Sequence, residues 1–324
     1  MTEPTTYSYP RYLEAKKIVD ARALNRQVWS EFIERLAESD SSPVRVLELG
    51  GGVGATVERI VEALEPRSVE ALHTTFVDIE PANVEAARAV LRAWAQERGY
   101  TVSGRQPQVW TGGPVEVSIQ FVTADLFDVA AGHDGPPFDA LVAQAVFDLL
   151  SIPDALRALD PLVGPGGLWY LPIHFDGVTA FEPPVDADLD ARVERLYHES
   201  MGGAPGPDPR RSGAHCGRSG AHCGRRLLTH LRDADATLLK AGASDWVVFP
   251  RDGGYPGDEA YFLHHILHFI ETELTGHPEL DPAAFEDWIA TRRRQIEGGE
   301  LVYIAHQLDV LARSPENHSQ RPQT

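Results

Sequence analysis

The chain has 324 residues, of which 43% are hydrophobic, enough to bury a sizeable core. Its 48 acidic residues outnumber its 29 basic residues and give a formal net charge of −19, so no overall positive field draws it to nucleic acid. The first residues contain no apolar signal region, and no stretch reaches the roughly eighteen apolar residues of a membrane helix, so we expect a cytoplasmic protein that binds neither nucleic acid nor membrane.

The first part of the chain changes from helical to strand periodicity. Residues 11–37 have apolar positions at helical spacing, which predicts a helix within an N-terminal helical cap over residues 1–40. The run VRVLEL at 44–49 predicts a buried parallel strand, and TVERIVEALE after it predicts a helix. Helical segments then separate further predicted strands at 72–78, 117–127, 138–143 and 168–173.

This alternation predicts one α/β domain over residues 41–324, with a doubly wound, mostly parallel sheet and helices on both faces. We expect a flexible loop at 202–226, a helix at 226–243 and a sixth strand in SDWVVFP at 244–250. A helical insertion at 257–297 and a final strand in ELVYIAHQLDVLA at 300–312 complete a seven-stranded sheet.

The heptapeptide RSGAHCG occurs twice in succession, at 211–217 and 218–224, and contains both cysteines of the chain. A thiolate and an imidazole can bind zinc. However, the spacing follows from the duplication itself, so we interpret the segment as a flexible loop and predict no metal site. The loop is also rich in arginine, which indicates either a solvated basic loop or a contact with an anion; these residues are Arg210, Arg211, Arg218, Arg225 and Arg226.

The segment VLELGGGVGA at 46–55 places four glycines between the first strand and its helix. Glycine costs conformational entropy there, and either a close approach by a ligand or a tight left-handed turn would compensate for it. Gly50, Gly52 and Ala55 fit the spacing of a dinucleotide-binding turn, with Asp78 downstream, so a nicotinamide or flavin enzyme is one alternative. Glu48 argues for another ligand, because an acid before the turn calls for a cationic or amino partner.

Four further segments follow in order at the ends of the predicted strands: FVDIE, TADLFD, FDALVAQAVFDLL and LVGPGGLWYL. With ELGGGVG, they make residues 40–175 resemble the class I S-adenosylmethionine-dependent methyltransferases, with a continuation through AGASDWVVF. The resemblance implies a Rossmann-like fold, S-adenosylmethionine as cofactor and direct methyl transfer to an acceptor.

The resemblance also implies roles for the residues of the glycine segment. The amides of Gly50, Gly52 and Gly54 would lie against the methionyl part of the cofactor, and Glu48 would lie near its ammonium group. Gln144, at the end of the fourth strand, would face the methionyl chain and the methyl group.

Two acids at strand ends would bind the nucleoside part of the cofactor. Asp78 would accept hydrogen bonds from the ribose hydroxyls, with Ile79 beside it in the cofactor-binding set. Asp125 would accept from the adenine amino group, and Leu126 would cover the ring edge. Each polar residue also has a plain alternative, since acids and amides at strand ends often cap the next helix.

The segment AQAVF departs from the Asn/Asp-Pro-Pro-aromatic pattern of nucleic-acid N-methyltransferases, so we expect a small-molecule acceptor. Direct displacement requires alignment and exclusion of water more than chemical groups. His174 and Asp176 follow the fifth strand and are the predicted catalytic residues. His264 and His268 share a helical face and are interpreted as packing residues rather than metal ligands.

The segments expected to build the acceptor pocket lie outside the sheet and are rich in Tyr, Trp and His. They are YSYPRYLEAKK at 7–17, LNRQVW at 24–29, YHESM at 197–201 and DGGYPGDEAYFLHH at 252–265. A third alternative is a methyltransferase-like domain that binds or assembles without catalysis.

Overall fold

A computed structural model describes residues 4–202 and 220–316, and in these ranges ten strands form one sheet. The strands are β1 (Val44–Leu49), β2 (Ala71–Asp78), β3 (Thr101–Ser103), β4 (Gln108–Thr111), β5 (Glu116–Thr123), β6 (Phe138–Ala143), β7 (Val163–Glu182), β8 (Thr237–Ala243), β9 (Trp246–Val248) and β10 (Val302–Arg313).

Helices lie on both faces of this sheet and at its carboxyl edge. They are α1 (Tyr9–Ala23), α2 (Arg26–Ala37), α3 (Ala55–Leu64), α4 (Pro81–Glu97), α5 (Leu126–Gly132), α6 (Ile152–Leu159), α7 (Ala187–Gly202), α8 (Cys223–Asp233), α9 (Glu259–Leu274) and α10 (Pro282–Glu297). None of the helices in the described ranges combines the length and apolar character needed to cross a membrane.

The sheet order is β3-β4-β5-β2-β1-β6-β7-β10-β8, with β9 paired to β10. The five central strands, β5, β2, β1, β6 and β7, are parallel, and β10 inserts antiparallel between β7 and β8. The chain leaves β1 toward β2 and later returns to the other side of β1 at β6. A crevice therefore opens at the carboxyl ends of β1 and β6, where ligands bind in such sheets.

The core consists of three apolar clusters. One packs α2, α3 and α4 on one face of the sheet, and another packs α6 and α8 on the opposite face. The third joins α1, α7, α9 and α10 over the carboxyl edge. The prediction of a doubly wound, mostly parallel sheet is confirmed by this arrangement.

The strand count was wrong, because the sheet has ten strands rather than seven. The antiparallel pair β3 and β4 extends the edge beyond β5, and strands of three and four residues are too short to give a periodic signal. The predicted helix at 226–243 ends at Asp233, and its second half is the strand β8. Asp235 adopts a left-handed φ of 62°, a conformation that terminates a helix.

Two predicted boundaries also change. The single helix expected at 11–37 is two helices, because Asn25 caps α2 by accepting from the backbone N–H of Gln27 and Val28. Helix α8 begins at Cys223, so residues 223–226 are helical rather than part of a loop. The first heptapeptide copy lies outside the described residues. The strand expected at 300–312 is confirmed as β10.

A buried ion pair joins two of the helices at the carboxyl edge. Asp190 of α7 accepts from the guanidinium of Arg292 and from the indole Nε1 of Trp288, both in α10 and both at 2.6 Å. The Arg292 side chain is 0% exposed, and it also donates to the backbone oxygen of Pro183. The pair fixes α10 against α7, and both helices contribute to the apolar cluster over the carboxyl edge.

Replacing Asp190 by Ala is expected to destabilise the protein by about 3 to 5 kcal/mol, because it leaves a buried cation without its partner. Chemical denaturation would measure the free energy of unfolding. Asp154→Ala, which breaks an exposed pair with Arg157, is the matched control and is expected to cost less than about 1 kcal/mol. Equal losses for the two variants would contradict this account.

Candidate active site

The glycine turn lies at the crevice between β1 and β6. Gly50, Gly52 and Gly54 have φ angles of 61°, 57° and 85°, in the left-handed region that favours glycine. Gly54 directly precedes α3, so backbone N–H groups at the helix N-terminus face the crevice. The turn thus presents polar backbone to a ligand.

The glycines are also required by packing. A Cβ on Gly50 would come within 2.5 Å of Val146, and one on Gly54 within 2.7 Å of Leu91. Leu13 of α1 would lie 3.0 Å from a Cβ on Gly52. Side chains from α1 and from the segment after β6 therefore cover the turn from above.

Glu48 is a buried acid in the middle of the sheet. Its side chain is 2% exposed, it is paired in register with Phe76 and Val142, and it forms a hydrogen bond with Thr56. Its Oε2 has no partner among the described residues. Burial raises the pKa of Glu48 to about 8, with Arg59 opposing the shift. The site lacks one hydrogen-bond donor, which a cation could supply.

A chain of polar contacts runs from Arg59, whose charge acts on Glu48, to helix α1. Arg59 donates to Gln144 Oε1 at 2.6 Å, and Gln144 Nε2 donates to Asp20 at 2.7 Å. Lys16 Nζ donates to the same Asp20 oxygen at 2.8 Å. Arg59 Nε is buried and has no partner among the described residues. Gln144 is therefore at the crevice as predicted, while Arg59, Asp20 and Lys16 were not predicted to be there.

Sequence reasoning missed these three residues because nothing distinguishes them from ordinary helix residues. Arg59 lies between Val57 and Ile60 on α3, where a surface arginine is equally acceptable. Lys16 and Asp20 are spaced i, i+4, which is common on solvated helix faces. Only the packing of α1 across the sheet edge buries them.

Asp78 ends β2 beside the glycine turn. One carboxylate oxygen accepts from the Gly52 N–H at 2.9 Å, and the other accepts from the Glu80 N–H and from Asn83. Burial raises the pKa of this carboxyl above its ordinary value. The structure thus brings Asp78 to the turn and uses it to hold Gly52 in place.

Three residues predicted for the nucleoside part lie at the same edge. Asp125 is the N-cap of α5 and accepts from the Phe127 N–H at 2.8 Å, with Leu126 half-buried after it. Ile79 is 55% exposed, which is unusual for a large apolar side chain beside a crevice. Asp125 therefore has the capping contact that is the alternative to a role in adenine binding.

A cavity of about 240 Å³ is lined in part by residues that neighbour, in sequence, residues covering the glycine turn. Tyr12 lines the cavity, and the adjacent Leu13 covers Gly52. Ala145 also lines the cavity, and the adjacent Gln144 forms hydrogen bonds with Arg59 and Asp20. Tyr197 and Met201 of YHESM also line it. Parts of the predicted pocket segments 7–17 and 197–201 therefore meet in one cavity.

The backbone is strained where it borders the cavity. Ala145 and Ile173 have φ angles of 53° and 58°, and a β-branched residue rarely adopts this region. The Ile173 N–H donates to the buried Asp309 at 2.8 Å, and the Ala145 N–H donates to Pro172 O at 3.1 Å. Strained backbone conformations are more frequent at functional sites, so this cavity is a candidate binding site.

The two predicted catalytic residues have structural contacts instead. His174 is fully buried, its Nε2 accepts from the Phe147 N–H, and its Nδ1 contacts the Leu171 carbonyl. Burial lowers the pKa of His174 to about 3. Asp176 accepts hydrogen bonds from the Nε of Arg225 at 2.9 Å and from the backbone N–H of Arg225. These two bonds anchor the start of α8. The geometry does not support a base role for either residue, because backbone groups or Arg225 occupy their polar atoms.

One group of residues in the described ranges has metal-capable atoms within 4.8 Å of one another: Asp148, His174 and Cys223. The contacts of His174 and a hydrogen bond between Cys223 and Asp148 account for this cluster. His264 and His268 do not belong to it. His268 stacks on Tyr7 with 4.2 Å between ring centroids, which fits the packing interpretation.

No protein-family model matches this chain, and no curated protein sequence matches it significantly. Solved structures do match. A protein from Anaeromyxobacter dehalogenans assigned to the type II methyltransferases is 16% identical, with a TM-score of 0.47 over 89% of this chain and 97% of its own. An S-adenosylmethionine-dependent methyltransferase from Thiobacillus denitrificans, solved with S-adenosyl-L-homocysteine, is 11% identical, with a TM-score of 0.43 over 96% and 99%.

A third match is geranyl diphosphate C-methyltransferase from Streptomyces coelicolor A3(2), solved with Mg2+, geranyl-S-thiolodiphosphate and S-adenosyl-L-homocysteine. It is 10% identical, with a TM-score of 0.39 over 89% of this chain and 76% of its own.

Glu48→Gln is expected to change how stability depends on pH. The pKa of Glu48 is raised in the folded state, so its contribution is complete below the unfolded value near 4.5 and is lost as pH rises to about 8. The variant has no such loss and should gain stability over the wild type by up to about 1.4 kcal/mol per pH unit between pH 5 and 8. Urea melts at several pH values would measure the difference. The exposed Glu34→Gln is the control, and parallel curves for wild type and Glu48→Gln would refute the assignment.

Proposed function

We propose that this protein is an S-adenosylmethionine-dependent methyltransferase that acts on a small-molecule acceptor. The observation that carries the proposal is the buried carboxyl of Glu48 at a left-handed glycine turn, whose Oε2 has no partner among the described residues. A partly open cavity with aromatic side chains in its lining accompanies it. The cofactor, when bound, supplies an electrophilic methyl group on a sulfonium. The protein's part is then to hold the cofactor, align the acceptor and exclude water.

The charges around the turn fit an amino acid group. Glu48 lacks a donor on Oε2, and a ligand ammonium would supply it and favour the ionised carboxylate. Arg59 has a buried Nε without a described partner and suits a ligand carboxylate, since guanidinium groups pair with carboxylates in a fixed geometry. An acidic and a basic side chain near the same turn match the two charges of a methionyl group.

The nucleoside part would follow along the same sheet edge. Asp78 would exchange some of its present contacts for ribose hydroxyls, and the exposed Ile79 would be covered by the adenine ring. Asp125 and Leu126 would bind the other edge of the ring. The carboxyl of Glu48 also weighs against the nicotinamide alternative, because a pyrophosphate has no hydrogen-bond donor for Oε2 and disfavours the ionised carboxylate.

Titration calorimetry with S-adenosylhomocysteine, NADH and NADPH tests the proposal. We expect micromolar binding of S-adenosylhomocysteine alone. Binding of a nicotinamide nucleotide instead would favour the oxidoreductase alternative, and binding of none of the three would favour the non-catalytic alternative.

Asp78→Ala is expected to weaken S-adenosylhomocysteine binding by about 1 to 3 kcal/mol, because it removes the proposed ribose contacts and the Gly52 contact. The exposed Asp154→Ala serves as the matched control. Circular dichroism would verify that both variants fold. Unchanged affinity in folded Asp78→Ala would remove Asp78 from the cofactor site.

A further inference from the structure

The lining of the cavity near the glycine turn contains an acidic side chain but, among the described residues, no basic one. The cavity walls are mostly apolar and include six aromatic rings, those of Tyr12, Phe175, Tyr197, Trp246, Phe269 and Tyr303. Asp148 contributes a carboxyl, Gln307 an amide and Thr179 a hydroxyl, whereas none of the described residues that line the cavity is Lys or Arg. An aromatic cavity with one acid and no base favours a cationic ligand over an anionic one.

Asp148 is held rigidly at the cavity wall. It lies in a short 3-10 turn, Phe147–Leu149, whose first N–H donates to His174 Nε2 at 3.2 Å. The Phe175 N–H donates to Asp148 Oδ1 at 3.1 Å, and Cys223 also forms a hydrogen bond with this carboxyl. His174 and Cys223 therefore position Asp148, which explains why His174 is buried next to the cavity without lining it.

Gln307 of β10 supplies a second, independent sign of a ligand. Its side chain lines the cavity, the residue is 3% exposed, and Oε1 has no hydrogen-bond partner among the described residues. A buried carbonyl oxygen without a partner costs free energy unless a donor reaches it. A hydrogen-bond donor on a ligand would satisfy this oxygen once the Gln307 amide turns toward the cavity.

We propose that the methyl acceptor is a small primary or secondary amine with an aromatic body, which binds as an ammonium between Asp148 and Gln307 and loses a proton to Asp148. This inference rests on the proposed methyltransferase function. Asp148 is the catalytic base, and Gln307 orients the nitrogen by accepting a second N–H.

The reaction balances in two steps. The ammonium transfers one proton to the Asp148 carboxylate, which frees the lone pair of the nitrogen. The nitrogen then forms the new N–C bond to the methyl group, and the electron pair of the breaking C–S bond stays on sulfur. Asp148 returns its proton to solvent after product release, so one proton is released per turnover.

The surroundings of Asp148 suit this role. Burial raises the pKa of Asp148 to about 7, whereas the hydrogen bonds from Phe175 and Cys223 and the charge of Lys16 on α1 act in the opposite direction. A base is most effective when its pKa lies near the working pH. His174 adds no charge to the site, since its own pKa is far below neutrality.

The test compares three probes that share a phenyl ring and a two-carbon arm: phenethylamine, phenethyl alcohol and hydrocinnamate. Each is titrated at pH 8 into the protein saturated with S-adenosylhomocysteine. We expect phenethylamine to bind at least tenfold more tightly than the other two, and its affinity to fall as the pH is lowered through 7. Asp148→Asn should weaken amine binding at least tenfold and leave S-adenosylhomocysteine binding unchanged, whereas Asp154→Asn should change neither.

Three results would overturn the proposal: equal or tighter binding of the alcohol or the carboxylate, no amine binding at millimolar concentration, or unchanged amine binding in Asp148→Asn. A failure of S-adenosylhomocysteine to bind would instead count against the methyltransferase function. The same titrations on the cofactor-free protein would then still decide whether the cavity selects an amine.

Discussion

The burial of a carboxyl where the central strand meets the glycine turn is the constraint that shapes the proposed site. An ionised acid in such a place needs a compensating cation or donors for both oxygens. Glu48 has Thr56 on one side, and its Oε2 has no partner within the described part of the chain. The neutral form relieves the cost in the protein alone, which is why burial raises the pKa of Glu48 to about 8. A ligand with an ammonium would stabilise the charged form, so the same carboxyl that weakens the fold at high pH becomes a recognition element.

The topology explains why the glycine turn and the cavity lie at the same edge of the sheet. Strands β2 and β6 lie on opposite sides of β1, so the segments after β1 and β6 converge at one edge. Helix α1 then lies across both, with Leu13 over Gly52 and Tyr12 in the cavity. The proposed cofactor site and the cavity thus have neighbouring residues on two segments, which would bring two ligands close together.

The sequence was sufficient for the parallel core and for the position of polar residues at its strand ends, whose binding roles stay predictions. Buried parallel strands are continuous apolar runs, and Glu48, Asp78 and Gln144 stood out because each is polar at the end of such a run. The acceptor side could not be predicted to the same degree. His174 looked catalytic because it follows a strand, but its ring turns inward, while Asp148 and Gln307 reach the cavity through the 3-10 turn and the antiparallel β10. Their positions follow from packing between distant segments and not from local spacing.

The most direct test of the central claim is the proton balance of cofactor binding. S-adenosylhomocysteine would be titrated at pH 7 in two buffers with different enthalpies of ionisation, for the wild type and for Glu48→Gln. The account predicts that the wild type releases roughly one proton as the ligand ammonium ionises Glu48, and that Glu48→Gln releases none. Binding to the wild type without any dependence of the enthalpy on the buffer would contradict the claim that Glu48 receives the ammonium.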